Sequence, residues 1–323
     1  MEPLRPMNLG EILDRTFQIY RSRFLVFVGI AALPALAVMA EYIAANQWLL
    51  GHPLHGRSLF FELGLSRLIW TALLYVASAF FHLLVRPAFV RTVSCTIANA
   101  HCSLRHTLAM TRENWRTMMA LNLFEQLVVV LAPASVFIAG VAVAGTAVGS
   151  NQSEKSALEG LLLFLCAVSI FLWLATCYSL SFPVAVLEGV PWLLAIKRSW
   201  RLSKKSRGRI LCTWFAVFAA GYAGSFLLRW TLYFALHFLG NGFGIRHGFS
   251  NYLAYYWLPN AVVSTLIGPI YPIALTLFYY DQRIRREGYD IERMMDAAGL
   301  NAPTPPLAGV SPIASTSEEE SKG

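Results

Sequence analysis

Residues 160–187 read GLLLFLCAVSIFLWLATCYSLSFPVAVL, 28 positions without a charged side chain. A hydrocarbon core about 30 Å thick takes roughly 20 apolar residues of α-helix. A helix also satisfies its own backbone polar groups where lipid offers no partner. This stretch is long enough to cross a membrane, and it is not alone. Uncharged runs also cover 24–40, 68–85, 126–153, 210–228 with its continuation 230–245, and 247–280. They predict an all-α, polytopic helical membrane protein with six transmembrane helices, at about 24–45, 66–86, 118–145, 159–185, 210–238 and 255–280. The runs on either side of Arg229 form one long helix, since neither half spans comfortably.

Composition agrees with that reading. Of 323 residues, 56% are hydrophobic and only 14% charged, where soluble domains carry about 25% charge. The mean hydropathy is +0.52. An ordinary soluble enzyme is excluded, and so is disorder over the bulk of the chain. The net charge of +8 does not point to nucleic acid, because basic residues kept on one side of a membrane give the same total.

Direction follows from those basic residues. Segments 1–23, 86–117, 188–209 and 283–323 hold 21 of the 26 Lys and Arg. The alternate loops, near 46–65, 146–158 and 239–254, hold Arg57, Arg67, Lys155 and Arg246. Both termini are therefore expected in the cytoplasm, in a cell (inner) membrane. The first span is expected to be retained rather than cleaved, because its basic flank carries Glu11 and Asp14 and the span exceeds a signal h-region. None of the five cysteines falls in an outer loop, so they are expected to be small apolar packers.

A degenerate threefold repeat organises the spans. Leu9, Ile12, Leu13, Phe17 and Tyr20 recur at helical spacing before span one, among Arg15, Arg21 and Arg23. Trp192, Leu193, Ile196 and Trp200 do the same before span five, beside Lys197, Arg198, Arg201, Lys204 and Lys205. Leu104, Leu108, Thr111 and Trp115 give a weaker copy before span three. The unit is one interfacial amphipathic helix followed by two spans. Pro34 and Pro133 interrupt the first span of two copies, and Pro87 and Pro183 mark the inner ends of the second spans. The helical membrane domain covers 1–296. Residues 297–323, with Pro303, Pro305, Pro306, Pro312 and Glu318 to Glu320 among Ala, Ser and Thr, form a disordered cytoplasmic tail.

Four stretches carry a family resemblance. They are Met7-Asn8-Leu9-Gly10-Glu11-Ile12-Leu13-Asp14, Phe182-Pro183-Val184-Ala185-Val186-Leu187-Glu188-Gly189, Arg198-Ser199-Trp200, and Thr276 through Tyr280-Asp281-Gln282-Arg283-Ile284-Arg285-Arg286-Glu287-Gly288-Tyr289-Asp290. Together these resemble bacterial multi-pass proteins related to the membrane domain of glycerophosphoryl diester phosphodiesterases. The resemblance implies a helical membrane module without catalytic activity of its own. The phosphodiesterase barrel needs about 250 residues, for which the spans leave no room. His101 followed by Glu113-Asn114 is a false echo of its motif, since Cys102 and Ser103 follow that histidine.

A search for chemistry returns little. No phosphate loop, Cys-x-x-Cys pair or His-Glu-x-x-His helix is present, so no catalytic residue, cofactor or metal is assigned. His52 and His55 lie in a Gly- and Pro-containing outer loop and need ligands from elsewhere to hold a metal. Arg229, Tyr233 and His237 share a stripe near the outer boundary, where Arg229 snorkels. Trp48, Trp70, Trp115, Trp200 and Tyr279-Tyr280 fall near span ends, as an interfacial belt does.

Glu125 is the least expected residue for its place. It lies nine residues beyond Arg116, roughly 13 Å into the membrane at helical rise. A carboxylate there costs about 2.5–3.5 kcal/mol on insertion scales, so it must face the bundle and be paired or protonated. Asn122 and Gln126 flank it, and His82 on span two is the nearest partner by depth. These four form a polar intramembrane site. Lys197, Arg198, Arg201, Lys204 and Lys205 are the expected contacts to anionic lipid headgroups.

Two functions compete. One is a non-catalytic scaffold or lipid-associated module acting through its basic cytoplasmic face, with membrane lipids and protein partners. The other is a transporter or permease for a lipid-like or apolar substrate, since repeats and proline-broken spans are transporter features.

Overall fold

In the computed structural model, the residues described are 6–51, 85–98, 115–146, 153–243, 257–288, 291, 294 and 295. Every regular element among them is helical. Most of predicted span two, the outer-loop histidines, His82, the weaker amphipathic copy before Trp115 and the C-terminal tail lie outside the described residues.

Helix α1 (Leu9–Ser22) begins with a capping box. The Asn8 side chain accepts from the Glu11 amide at 2.9 Å, and Glu11 accepts from the Asn8 amide at 2.8 Å, satisfying two of the orphan donors of a helix start. Ile12, Thr16 and Ile19 face the protein, whereas Phe17 is exposed. The apolar stripe therefore divides, one edge toward protein and one away from it. At Arg23 the chain turns by 90° into α2 (Phe24–Gly51). Next come α3 (85–97), then α4 (Trp115–Phe124), which continues through a π-helical segment, Glu125–Leu131, into α5 (Ala132–Thr146). Helices α6 (Ser153–Tyr178), α7 (Ser181–Glu188), α8 (Trp192–Ser203), α9 (Arg207–Phe243), α10 (Leu258–Ile267) and α11 (Ile270–Glu287) complete the fold.

Four helical stretches are long and apolar enough to cross a membrane: Trp115–Ala142, Leu158–Glu188, Arg207–Ala235 and Leu258–Glu287. The bent pair α1 and α2 qualifies as a fifth if taken as one span. Large apolar side chains such as Ile138, Leu162, Phe218, Leu227 and Phe234 stand exposed along these helices, as they do where the surroundings are lipid. The last stretch is the central one. In it 39% of the most apolar window is buried, against 11% in α9.

The packed core sits at the basic end of the bundle. Ile12, Phe27, Phe89, Met118, Leu121, Phe182, Phe278 and Tyr279 join one cluster there. Helix α8 packs on it through Ala195, Ser199, Leu202 and Ser203, with Trp192 and Ile196 half-buried against it, and leaves Leu193 and Leu194 exposed. Its two inward serines are tied to the end of α6, where the Cys177 carbonyl accepts from Ser199 Oγ at 3.0 Å and Ser203 Oγ at 3.2 Å. Cys166, Cys177 and Cys212 are free thiols. Cys95 is disulfide-bonded, a correction to the expectation that all five cysteines are apolar packers.

Candidate functional site

The site is built on a helix defect. Pro133 cannot donate to the carbonyl four residues back, and its ring crowds that carbonyl. The helix relieves this by widening over Glu125–Leu131, where the Ala132 amide bonds to the Leu127 carbonyl, five residues back. Such π-turns are frequent at functional positions. Glu125 and Gln126 open this segment and line a cavity of about 620 Å³ between the helices.

Two helix prolines and one helix break border the same cavity. Pro34 of α2 lines one side, Pro183 of α7 another, and the α10–α11 break at Gly268 a third. Gly268 is required there, because a Cβ would fall 2.2 Å from the Ser264 carbonyl oxygen. Most of the remaining wall is apolar or aromatic, including Val129, Phe171, Trp214 and Leu275. Its polar groups are few: Glu125, Arg86, Gln126, Ser179, Ser264, Asn260 and the hydroxyls of Tyr178 and Tyr271. A largely apolar cavity of 300–1,000 Å³ with a few convergent polar groups is the usual form of a small-molecule site.

The charge at Glu125 is neutralised by Arg86 of α3, whose Nη1 donates to Glu125 Oε2. Ser181 Oγ of α7 donates to the other oxygen at 3.1 Å. Arg86 also lies over the Phe182 ring, 5.1 Å from its centroid, a favourable cation–π arrangement. Among the described residues its remaining donors have no protein partner. Asn122 is buried one turn from Glu125 but is not on the cavity wall. The partner suggested by depth, His82, lies outside the described residues, and Arg86 takes the role. A signal for it is present in the sequence. Arg86 and Glu125 each end a long uncharged run at its basic side, which puts a cation and a carboxylate at the same side of two spans.

A second set of charges occupies the basic end. Asp281 is fully buried and accepts from the Met7 amide at 2.9 Å, Arg285 Nε at 2.9 Å, Arg209 Nη2 at 3.0 Å and Gln282 Nε2 at 3.1 Å. Arg285 and Arg209 also donate to the Met7 carbonyl, at 2.8 and 3.2 Å. Glu188 accepts from Arg198 Nε at 2.8 Å and from the Tyr279 hydroxyl at 2.7 Å. Arg198 reaches Glu287 as well, at 2.8 Å. The stretches around Met7 and Asp281 thus meet in one network, and those around Glu188, Arg198 and Glu287 in a second, both of them anchored on α11.

Arg198 is consequently engaged within the protein, whereas Lys197, Arg201, Lys204 and Lys205 are exposed. Lys197 and Arg201 border a shallow cleft with Tyr178, Leu194, Ile196 and Trp200. Among the described residues no group of three His, Cys, Asp or Glu is placed to hold a metal. No family model, curated protein or solved structure matches the chain.

Proposed function

We propose that this is a multi-pass inner-membrane protein that binds a lipid-like or apolar ligand in its intramembrane cavity, as a permease or lipid-handling protein would. The cavity beside the π-helical segment is the observation that carries the reading. Interrupted helices around a site within the membrane are a transporter feature, and its apolar wall suits a ligand that partitions into lipid. The proposal takes the six-span arrangement with a threefold repeat, both termini cytoplasmic, and membership in the phosphodiesterase-related membrane family without enzymatic activity. One feature pulls against that orientation: disulfides are rare in reducing compartments, and α3, on the basic side, carries bonded Cys95. A reporter fused at Gly323 tests the point, since an external reading overturns the cytoplasmic placement of the C-terminus.

The ligand reading is tested with the full chain in vesicles, using a dibrominated stearyl alcohol as contact quencher. Trp214 and Trp257 line the cavity, so their fluorescence should be quenched saturably. The saturable part should disappear when both are changed to Phe. Quenching that rises only in proportion to bulk bromolipid would sink the cavity reading.

A scaffold role is the second reading. It is favoured by the exposed leucines and basic side chains of α8, which suit attachment to anionic headgroups or to an acidic protein partner.

A further inference from the structure

We infer that the cavity selects a single-chain amphiphile with an anionic head, a carboxylate or phosphate monoester, and that the head displaces Glu125 as the partner of Arg86. This rests on the cavity reading above and narrows it to a chemical class.

Arg86 is the reason. A guanidinium carries five donors in a planar fork suited to two-oxygen anions, yet a single N–H is used on Glu125. The Arg86 side chain is 35% exposed and borders the cavity, so an anionic head entering there would come within reach of its unused donors. Among the described residues Glu125 is held otherwise only by one Ser181 hydroxyl at 3.1 Å. It is a resident anion on a cation with capacity to spare.

The walls set the rest of the ligand. From Tyr271, near the Arg86 end, to Asn260 is eleven residues along α10 and α11, about 16 Å at helical rise and roughly half a hydrocarbon core. Between them the lining is mostly apolar. A volume of about 620 Å³ lies within the range that encloses one drug-sized molecule, which favours one tail over two. The head sits at the ion pair and the tail runs away from it.

The test compares dibrominated stearate with dibrominated stearyl alcohol on the full chain in neutral phosphatidylcholine vesicles, read as saturable quenching of Trp214 and Trp257. The acid should bind about tenfold more tightly than the alcohol, the factor expected of a charge-assisted hydrogen bond. Glu125→Gln should tighten the acid further, because the competitor for Arg86 is gone. Arg86→Gln should bring the ratio toward one. If Glu125→Gln does not fold, the Arg86→Met/Glu125→Leu double variant carries the same test. It removes both charges, and its acid-to-alcohol ratio should fall to one. Competition by lysophosphatidic acid, a single-chain phosphate monoester, added to the vesicles would support the anionic-head chemistry and assign its source to bilayer lipid, whereas competition by two-chain phosphatidylglycerol would overturn the single-chain selection. Equal binding of acid and alcohol by the unmodified chain overturns this inference and leaves the cavity reading intact. Saturable binding of neither removes both.

Discussion

Asp281 at the basic end accepts four hydrogen bonds, from the Met7 amide, Arg209, Gln282 and Arg285. Glu125 on the cavity wall accepts two, from Arg86 and Ser181. Both are carboxylates near helices that turn at prolines, and both carry arginine partners. They differ in how completely their surroundings are committed to them. Around Asp281 the cations also hold the Met7 carbonyl, so the charge is locked into a junction of α1, α9 and α11. Around Glu125 the cation has donors left over among the described residues and a largely apolar cavity beside it. A charge whose partners are saturated is a structural joint, and a charge whose partner is not is available for exchange.

The largest effect expected from this contrast is at the joint. Asp281→Ala leaves two arginines and a backbone amide without their shared acceptor, and breaking a buried pair on one side costs about 3–5 kcal/mol. Thermal unfolding in detergent should drop sharply. By contrast, the Arg86→Met/Glu125→Leu double variant removes both charges at once, which is often neutral or stabilising. If the double variant unfolds as readily as Asp281→Ala, the cavity pair is a second joint and the contrast fails.

A smaller effect is expected at the cavity's backbone. Gly268→Ala places a Cβ 2.2 Å from the Ser264 carbonyl oxygen. Overpacking of that kind typically costs about 1–3 kcal/mol, and the α10–α11 break must shift to accommodate it. The unfolding midpoint should fall moderately and saturable quenching of Trp257 should weaken. Unchanged quenching would mean that the break does not shape the cavity.

The smallest effect on stability is expected on α8. Changing Lys197, Arg201, Lys204 and Lys205 together to Gln touches exposed residues, where substitutions usually stay within about 0.5 kcal/mol. Anionic lipid co-purifying with the full chain should nevertheless decrease, as each basic residue near a charged surface contributes about 1 kcal/mol. The loss should be greatest at low salt, given screening over about 8–10 Å at ordinary ionic strength. Adding Arg198→Gln to the set should instead lower stability, because Arg198 joins Glu188 to Glu287.

Much of the architecture is legible in local pattern. Uncharged runs of sufficient length mark the spanning stretches at Trp115–Ala142, Leu158–Glu188, Arg207–Ala235 and Leu258–Glu287, because lipid exposure is a property of each segment taken alone. Asn8 followed by Glu11 announces the start of α1, and Pro133 announces an interruption in its span. Glu125 is also legible as a residue that must be neutralised. Which side each amphipathic helix turns inward is not legible from periodicity. Of the large apolar residues on α8, Leu202 is buried and Trp192 and Ile196 pack against the core, yet Leu193 and Leu194 stay out. A helix with protein on one side and a membrane interface on the other has two surfaces that reward apolar residues.

By itself, then, the sequence determined the all-helical class, four stretches long and apolar enough to cross a membrane, the clustering of basic residues and a carboxylate within one of those stretches. Length, charge placement and helical rise suffice for each of these. The tertiary structure alone decided that Arg86 meets Glu125, that Arg198 points inward, and that the π-helical segment, two proline-bearing helices and the α10–α11 break leave a cavity at the pair. Those outcomes depend on which faces of distant helices are brought together, and no spacing along one helix contains that information.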